Sequence, residues 1–428
     1  MVFRRIFASV AMLAVTVAAA ETAQPLSLER AQTMAVERNP DLRMARAALE
    51  SARANIQAAG AAPNPILSLS TSSISTSGNT GGGPLWRRQI DSVVGVSQLI
   101  ERGGKRELRR ENAEHNLRAA DADLSDVRRQ LRMMVGQAYV DLHAAQDRVA
   151  VTREASRLMD DTLGAAQIRR DAGDIAGADV ERVRVDVLRA RNELAAAEGE
   201  LKRSQHALAL LLADVERAGQ LEAADAWPSL ADAAQTASQK IDDIIDRRAD
   251  VRAAAARIDA AGAGTRLAES LRTRDVTVGA QLEHFPQPGD ASNPNGNSIG
   301  VSVQVPLFTR YYYQGEIGAS LAALDAAKAR YEQARAVAES EIRTALSGVQ
   351  SAAERVRRNR DELLVAAEKA ATAAEFAYKN GAVGVMDVLD ARRTLRATRL
   401  DALAAQAELS KALANWQAAT ETTEDSTK

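Results

Sequence analysis

Four histidines, His115, His143, His206 and His284, and the adjacent pair Met133-Met134 are where metal chemistry would first be sought in this 428-residue chain, which has no cysteine. A structural or catalytic metal site needs ligands at short, fixed spacings on one helix face or one loop. No two of the histidines stand at such a spacing, so each reads as a surface or packing residue. Met133 and Met134 fall within a heptad pattern and read as packing residues rather than copper ligands. Gly81-Gly82-Gly83 lies in a Ser/Gly-rich stretch with no phosphate-binding lysine motif after it, and reads as a flexible loop. The absence of cysteine excludes disulfides, thiolate metal sites and lipid attachment to an N-terminal cysteine. No enzyme, cofactor or metal site is expected.

The sharper signal is a repeated piece of punctuation. "RDAGDIAGADVERVRVDVL" in the first half matches "YKNGAVGVMDVLDARRTL" in the second. Gly173, Asp179 and Val180 recur as Gly381, Asp387 and Val388, each 208 residues later. The likeness reaches further: "RNPDLRMARAALESARANI" corresponds to "RRADVRAAAARIDAAGAGT", and Gln98 to Gln304. The chain is therefore expected to be a duplication of two units, too few for an open solenoid.

Each turn would join a long helix to a shorter one. From about 102 to 171 there is no proline, and Ala113, Leu117, Ala120, Leu124, Val127, Leu131, Met134 and Ala138 alternate four and three apart. That is a heptad seam and predicts coiled-coil packing. Such a helix would be about 105 Å long at the α-helical rise. Its counterpart spans about 311–380, and shorter helices are expected over 28–60, 179–213, 241–270 and 387–418. Two short helices end to end match one long one, the proportions of a double-layer tube. Aromatics are only 3% of the chain, so the core must be built from Ala, Leu and Val.

The first twenty residues, "MVFRRIFASVAMLAVTVAAA", have the charged, apolar, small-residue order of a secretory signal, with cleavage predicted before Glu21. No later stretch is long and apolar enough for a membrane helix. Net charge is −2, from 55 basic and 57 acidic residues interspersed, which gives no electrostatic support for nucleic-acid binding.

Between short and long helix, each half carries an insert that reads as strand, Gly/Pro/Ser/Asn-rich loop, strand. In the second half Val276, Val278, Ala280 and Leu282 alternate with Thr277, Gly279, Gln281 and Glu283. Ile299, Val301, Val303 and Val305 alternate likewise with polar or small residues. Strands with one apolar and one polar face suit a membrane barrel; the plainer alternative is two hairpins on a soluble helical body. Four strands cannot close a barrel, and an open sheet edge is not tolerated in hydrocarbon. Two chains would supply eight strands, whose interior side chains fill; three would supply twelve and leave a channel. A homotrimer is expected.

These features resemble the TolC-like outer-membrane factors of Gram-negative bacteria, over nearly the whole chain after the leader. The resemblance rests on the Gly-x5-Asp-Val turns, "VLDARRTL" and "NPDLRMARAALESARANIQAAGAAPNPILS", while "QLIERGGKRELR" is similar more narrowly to the CzcC-like heavy-metal branch. It implies a mainly α fold with a small β part: long coiled-coil helices forming a periplasmic α-barrel, and four strands per protomer in a trimeric twelve-stranded outer-membrane β-barrel. Residues 1–20 would be the leader, 21–213 the first repeat (strands about 65–74 and 90–100, turn about 172–178) and 214–240 an equatorial connection. The second repeat would be 241–419 (strands about 275–285 and 298–307, turn about 380–386), with a polar tail at 420–428. The implied partners are a periplasmic adaptor (membrane fusion protein), an inner-membrane resistance–nodulation–division pump and outer-membrane lipid.

The resemblance also implies roles for the turns. Gly173, Asp174, Asp179, Gly381, Val383 and Asp387 would form the periplasmic tip that meets adaptor or pump. Asp387, Asp390 and Tyr378 match positions of the family's periplasmic gate. Val383 stands where the best-known pattern has an arginine tying the gate shut, so that tie is not carried over. The plainer reading is that Asp387 caps a helix and Asp390 is a solvated charge. Rival functions are an outer-membrane factor for drugs or secreted proteins, and a periplasmic coiled-coil adaptor or scaffold.

Overall fold

A computed structural model describes residues 25–74, 90–235, 241–285 and 296–422. The leader, Gly81-Gly82-Gly83, residues 236–240 of the connection and 423–428 of the tail lie outside the described residues. The first half runs β1 (Pro25–Leu26), α1 (Leu28–Arg38), α2 (Pro40–Gly60), β2 (Ile66–Ser72), β3 (Asp91–Ile100), α3 (Lys105–Asp171) and α4 (Gly177–Leu211). The connection holds a 3-10 turn (Val215–Gln220), β4 (Glu222–Ala223) and α5 (Leu230–Gln235). Then come α6 (Ile241–Ile245), α7 (Ala249–Ser270), β5 (Val276–His284), β6 (Asn297–Gln304), α8 (Gln314–Arg358), a π-helical turn (Asn359–Leu363), α9 (Leu364–Lys379) and α10 (Val385–Thr420). The fold is mainly helical, with one four-stranded sheet and a two-residue parallel bridge between β1 and β4.

The chain divides into two compact units: Met1–Glu37, Met134–Pro228 and Glu354–Lys411 in one, Arg38–Met133, Ser229–Ala353 and Ala412–Lys428 in the other. In the first unit, Tyr139 ties the start of the chain and the connection to α3. Its hydroxyl donates to Leu26 O at 2.8 Å and accepts from the backbone N–H groups of Ala224 and Asp225. His143 stacks on Trp227 with ring centroids 4.1 Å apart, and Trp227 Nε1 donates to Asp147 Oδ2 at 2.8 Å.

The second unit holds the sheet, ordered β2-β3-β5-β6 and antiparallel throughout. The register sorts side chains by face, because directly paired residues point the same way. One face carries the rows Leu69–Val94–Leu282–Ile299 and Leu67–Val96–Ala280–Val301. The other carries Ser68–Gly95–Gln281–Gly300 and Ser70–Val93–Glu283–Ser298. The apolar rows are exposed: Leu69 is 71% exposed and Ile299 78%. On the polar face the strands close up, and a Cβ on Gly279 would stand 2.6 Å from Ser302 Oγ.

Three helical expectations need correction. The first short helix breaks at Asn39-Pro40, where Asn39 Oδ1 accepts from Asp41 N at 2.8 Å and Pro40 starts α2 without losing a bonded N–H. Its counterpart breaks at Arg247-Arg248, and the Arg248 side chain is wholly buried. The second long helix begins at Gln314 and is interrupted by the π turn, where the Leu364 N–H reaches Asn359 O. The heptad seam of α3 also shifts: Met134 is exposed and Val135 is buried in its place, followed by Tyr139 and Leu142. A straight helix drifts by about 20° per heptad against a 3.5-residue repeat, which moves the buried face from Met134 to its neighbour.

Candidate functional site

The two repeated turns share one backbone device. After α3, Gly173 has φ +85°; its N–H donates to Arg170 O at 2.9 Å, and Asp174 N donates to Arg169 O at 2.9 Å. After α9, Gly381 has φ +72°; its N–H donates to Tyr378 O at 3.0 Å, and Ala382 N donates to Ala377 O at 2.8 Å. Each is a Schellman cap, which saturates the last carbonyls and requires a left-handed residue. Nothing lies within 4 Å of a Cβ built on either glycine. The backbone angle rather than crowding therefore selects glycine.

The side chains of the turns differ. Asp387 Oδ2 accepts from Gly384 N at 3.0 Å, reaching back to the first residue before α10. That is half of a capping box, with the carboxylate also at the positive end of the helix dipole. Asp179 occupies the same place in α4 but faces Arg182 at 3.5 Å instead. Asp390 is exposed and makes no ion pair among the described residues. Tyr378 lies under Arg169, whose guanidinium carbon is 4.6 Å from the ring centroid. Asp174 is exposed and Val383 partly buried. The structure thus brings Tyr378 to the end of α3, while Asp387 turns to its own helix.

Sequence reading missed the arginines that follow. Arg392 donates to Glu375 Oε1 on α9 at 2.9 Å, and to Thr162 Oγ1 on α3 at 2.8 Å. Arg393 pairs with the buried Asp186 of α4, and Arg396 pairs with Glu193 of α4 at 2.8 Å. The motif "VLDARRTL" is therefore a seam in which α10 is tied to three other helices. Beside it lies a cleft of about 70 Å³ lined by Val151, Ala155, Leu158, Met159 and Leu395 together with Glu154, Glu375, Arg392, Arg396 and Arg399. Beneath the turns, Met159, Ala166, Val180, Val183, Val187, Ala190 and Leu389 form a buried core on which Ile175, Val385 and Met386 pack.

The motif "QLIERGGKRELR" lies at the junction of β3 and α3. Arg109 grips both oxygens of Glu101, at 2.5 and 2.7 Å. The hydrogen bond and charge of Arg109 hold the Glu101 carboxyl below its ordinary value. Lys105 is buried; its Nζ donates to Thr273 O and Asp275 Oδ1, each at 2.8 Å. The motif is an ion-paired staple between strand ends and helix.

The histidines remain apart. His115 sits between Glu111 and Asp259 at 3.8 and 3.6 Å, His284 Nδ1 meets Asn297 Oδ1 at 2.7 Å, and His206 is exposed on α4. Among the described residues, no cluster of three or more His, Cys, Asp or Glu side chains is placed to hold a metal ion.

The chain thus combines a four-stranded sheet that exposes an apolar face with a helical body that carries two matched Gly turns. The chain belongs to the outer membrane efflux protein family, whose model matches residues 32–214 and 240–420. It is 28% identical over 385 residues to the cobalt-zinc-cadmium resistance protein CzcC of Cupriavidus metallidurans, covering 89% of this chain and 86% of that one. It is 26% identical over 376 residues to the cation efflux system protein CusC of Escherichia coli strain K12, covering 85% and 80%. Its fold is that of the CusC crystal structure (TM-score 0.76, 22% identity, 92% of each chain). The fold is also that of VceC from Vibrio cholerae (TM-score 0.75, 21% identity, 92% and 96%).

Proposed function

We propose that this chain is the outer-membrane channel of a tripartite efflux system. It would pass heavy-metal cations outward from an inner-membrane resistance–nodulation–division pump and its periplasmic adaptor. The observation that carries this reading is the sheet. Its apolar rows are exposed, and β2 and β6 have no partner on their outer edges among the described residues. Such edges must be paired in hydrocarbon, so further copies complete the sheet. Three copies make twelve strands, enough to enclose water on the polar, small-residue face. The likeness to CzcC and CusC supports a metal cargo. In the trimer the turns at Gly173 and Gly381 form the periplasmic tip, with Asp387, Asp390 and Tyr378 at its gate.

Mass measurement of the detergent-solubilised protein should give three chains; a stable monomer with intact helices would overturn the barrel. Deletion in a strain lacking redundant outer-membrane factors should sensitise cells to zinc, cobalt, cadmium or nickel, or to copper and silver. Unchanged metal tolerance with new sensitivity to dyes or detergents would assign the channel to drug efflux instead.

A further inference from the structure

The junction between strands and helices sorts its charges by face. On β3 the exposed apolar face carries even-numbered residues, Val94, Val96 and Ile100, and on β5 it carries Val278 and Leu282. Arg102 and Arg274 keep that parity just beyond the strand ends, and both are exposed. Glu101 and Asp275 have the opposite parity, and Arg109 and Lys105 hold them in ion pairs. Beyond β6, Leu307 keeps the parity of the exposed apolar row, and Arg310, three residues further on, is exposed. Glu316, a third carboxylate at this end, accepts from the Tyr311 hydroxyl. Arg102, Arg274 and Arg310 have no ion-pair partner among the described residues. The staple thus draws the carboxylates inward and leaves a surplus of guanidinium on the side that continues the apolar face.

Aromatics gather at the same level. A chain with only 14 Phe, Tyr and Trp residues in all places Phe308, Tyr311, Tyr312 and Tyr313 within six positions. Phe308 stands edge-on to Tyr312 and Tyr313, and Arg274 lies over its ring at 5.4 Å. Tyr311 and Tyr312 are about half exposed. Amphipathic rings flanking an apolar band mark the depth at which hydrocarbon gives way to headgroups.

We propose that Arg102, Arg274 and Arg310, with this aromatic cluster, form a binding belt for the phosphate headgroups of anionic phospholipid, in the leaflet on the helix side of the sheet. The inference rests on the barrel reading in one respect: the apolar rows must face lipid. It also gives "ERGGKR" a meaning separate from cargo. Its Glu101 and Lys105 are consumed in the staple, and its Arg102 is turned to the membrane. A guanidinium near an anionic surface gains roughly fivefold in lipid affinity at low salt, an advantage that salt screens.

The test uses the full-length channel in nanodiscs of phosphatidylcholine doped with phosphatidylglycerol, with retained lipids counted by native mass spectrometry. The wild type should enrich phosphatidylglycerol at least tenfold at low salt, and lose most of that preference in high salt. The triple variant Arg102→Gln/Arg274→Gln/Arg310→Gln should retain both lipids equally while keeping wild-type assembly mass and conductance. Equal retention by the wild type, or an unchanged preference in the variant, overturns the belt and leaves the channel reading intact. A wild-type chain that fails to enter nanodiscs or conduct overturns the barrel reading, and the belt with it. Replacing Tyr311 and Tyr312 with alanine should shift insertion depth without removing the lipid preference, which separates the rings' part from the arginines'.

Discussion

Glu181 and Leu389 occupy the same place in the two repeats, each following an Asp-Val pair at the start of a returning helix. Glu181 is exposed, whereas Leu389 is wholly buried in the core beneath the turns. The neighbouring pairs diverge in the same way. Arg182 stands opposite Asp390, exposed Val185 opposite the ion-paired Arg393, and Arg170 opposite Tyr378. The turns themselves do not diverge, since both glycines close Schellman caps through equivalent backbone bonds. Duplication has kept what the backbone needs locally and released what the surface does. In its first helical turn the second repeat buries one more position, whereas further along it is α4 that buries Val183, Asp186, Val187 and Ala190, at places where α10 stays at least partly exposed.

The joints in the short helices show the same asymmetry and offer the largest effect. Asn39 caps α2 by accepting from Asp41 N, whereas Arg248 donates to both oxygens of Asp250 at 3.1 and 2.7 Å, to Glu341 at 2.7 Å and to Ala419 O at 3.3 Å. Arg248→Ala would strand Asp250 and should cost about 3–5 kcal/mol, against about 1 kcal/mol for Asn39→Ala; denaturant unfolding of the solubilised protein measures both. Burial pushes the Asp250 carboxyl up, but the Arg248 hydrogen bonds and charge outweigh it and hold that carboxyl below its ordinary value. A depressed carboxylate contributes stability above its unfolded pKa, about 3.9, and that contribution is lost as pH falls through the folded value. The gap between wild type and Arg248→Ala should therefore be widest near neutral pH and narrow below about pH 4. A gap independent of pH would mean that Arg248 acts through packing alone.

A smaller difference separates Arg393 from Val185. Arg393→Ala leaves the carboxylate of Asp186, only 7% exposed, without its nearest cation and should cost about 2–4 kcal/mol. That range is set below the full cost of stranding a buried charge because Arg393 is itself partly exposed. Val185→Ala removes an exposed side chain and should fall within about 0.5 kcal/mol. Equal effects at the two positions would remove the asymmetry between the turns.

The smallest energies belong to the turn aspartates, although they bear most directly on the proposed gate. Asp387→Ala should lose about 0.5–1 kcal/mol with its cap bond and dipole interaction, and Asp179→Ala roughly a few tenths. If three copies of Asp387 and Asp390 ring a narrow mouth, replacing both with alanine should reduce cation selectivity and block by multivalent cations in planar bilayers, leaving the trimer assembled. Equivalent changes at Asp179 and Glu181 should do less, because the first turn has arginine where the second has Asp390. Unchanged selectivity with a weakened trimer would leave Asp387 a helix cap and nothing more.

Helix capping, heptad spacing and strand alternation are written in residues within a few positions of one another. For that reason the long helices, the two glycine turns and the two-faced strands could be read directly from the sequence. The break at Asn39-Pro40 is signalled by its cap residue and proline; the break at Arg248 has no such signal, since Arg248 is held by ion pairs and hydrogen bonds that include Glu341 and Ala419 O, far along the chain. The shift from Met134 to Val135 arises only when a real helix of 3.6 residues per turn meets its neighbours. The same holds for the turns. Glycine there follows from a backbone angle that no other residue adopts cheaply, so the sequence alone determined where the chain reverses. Even the choice of Asp387 to cap its own helix and of Asp179 to face Arg182 is made among residues three positions apart. Which arginine of "VLDARRTL" meets Thr162 or Asp186 depends on residues more than 200 positions away, and only the tertiary structure decided it.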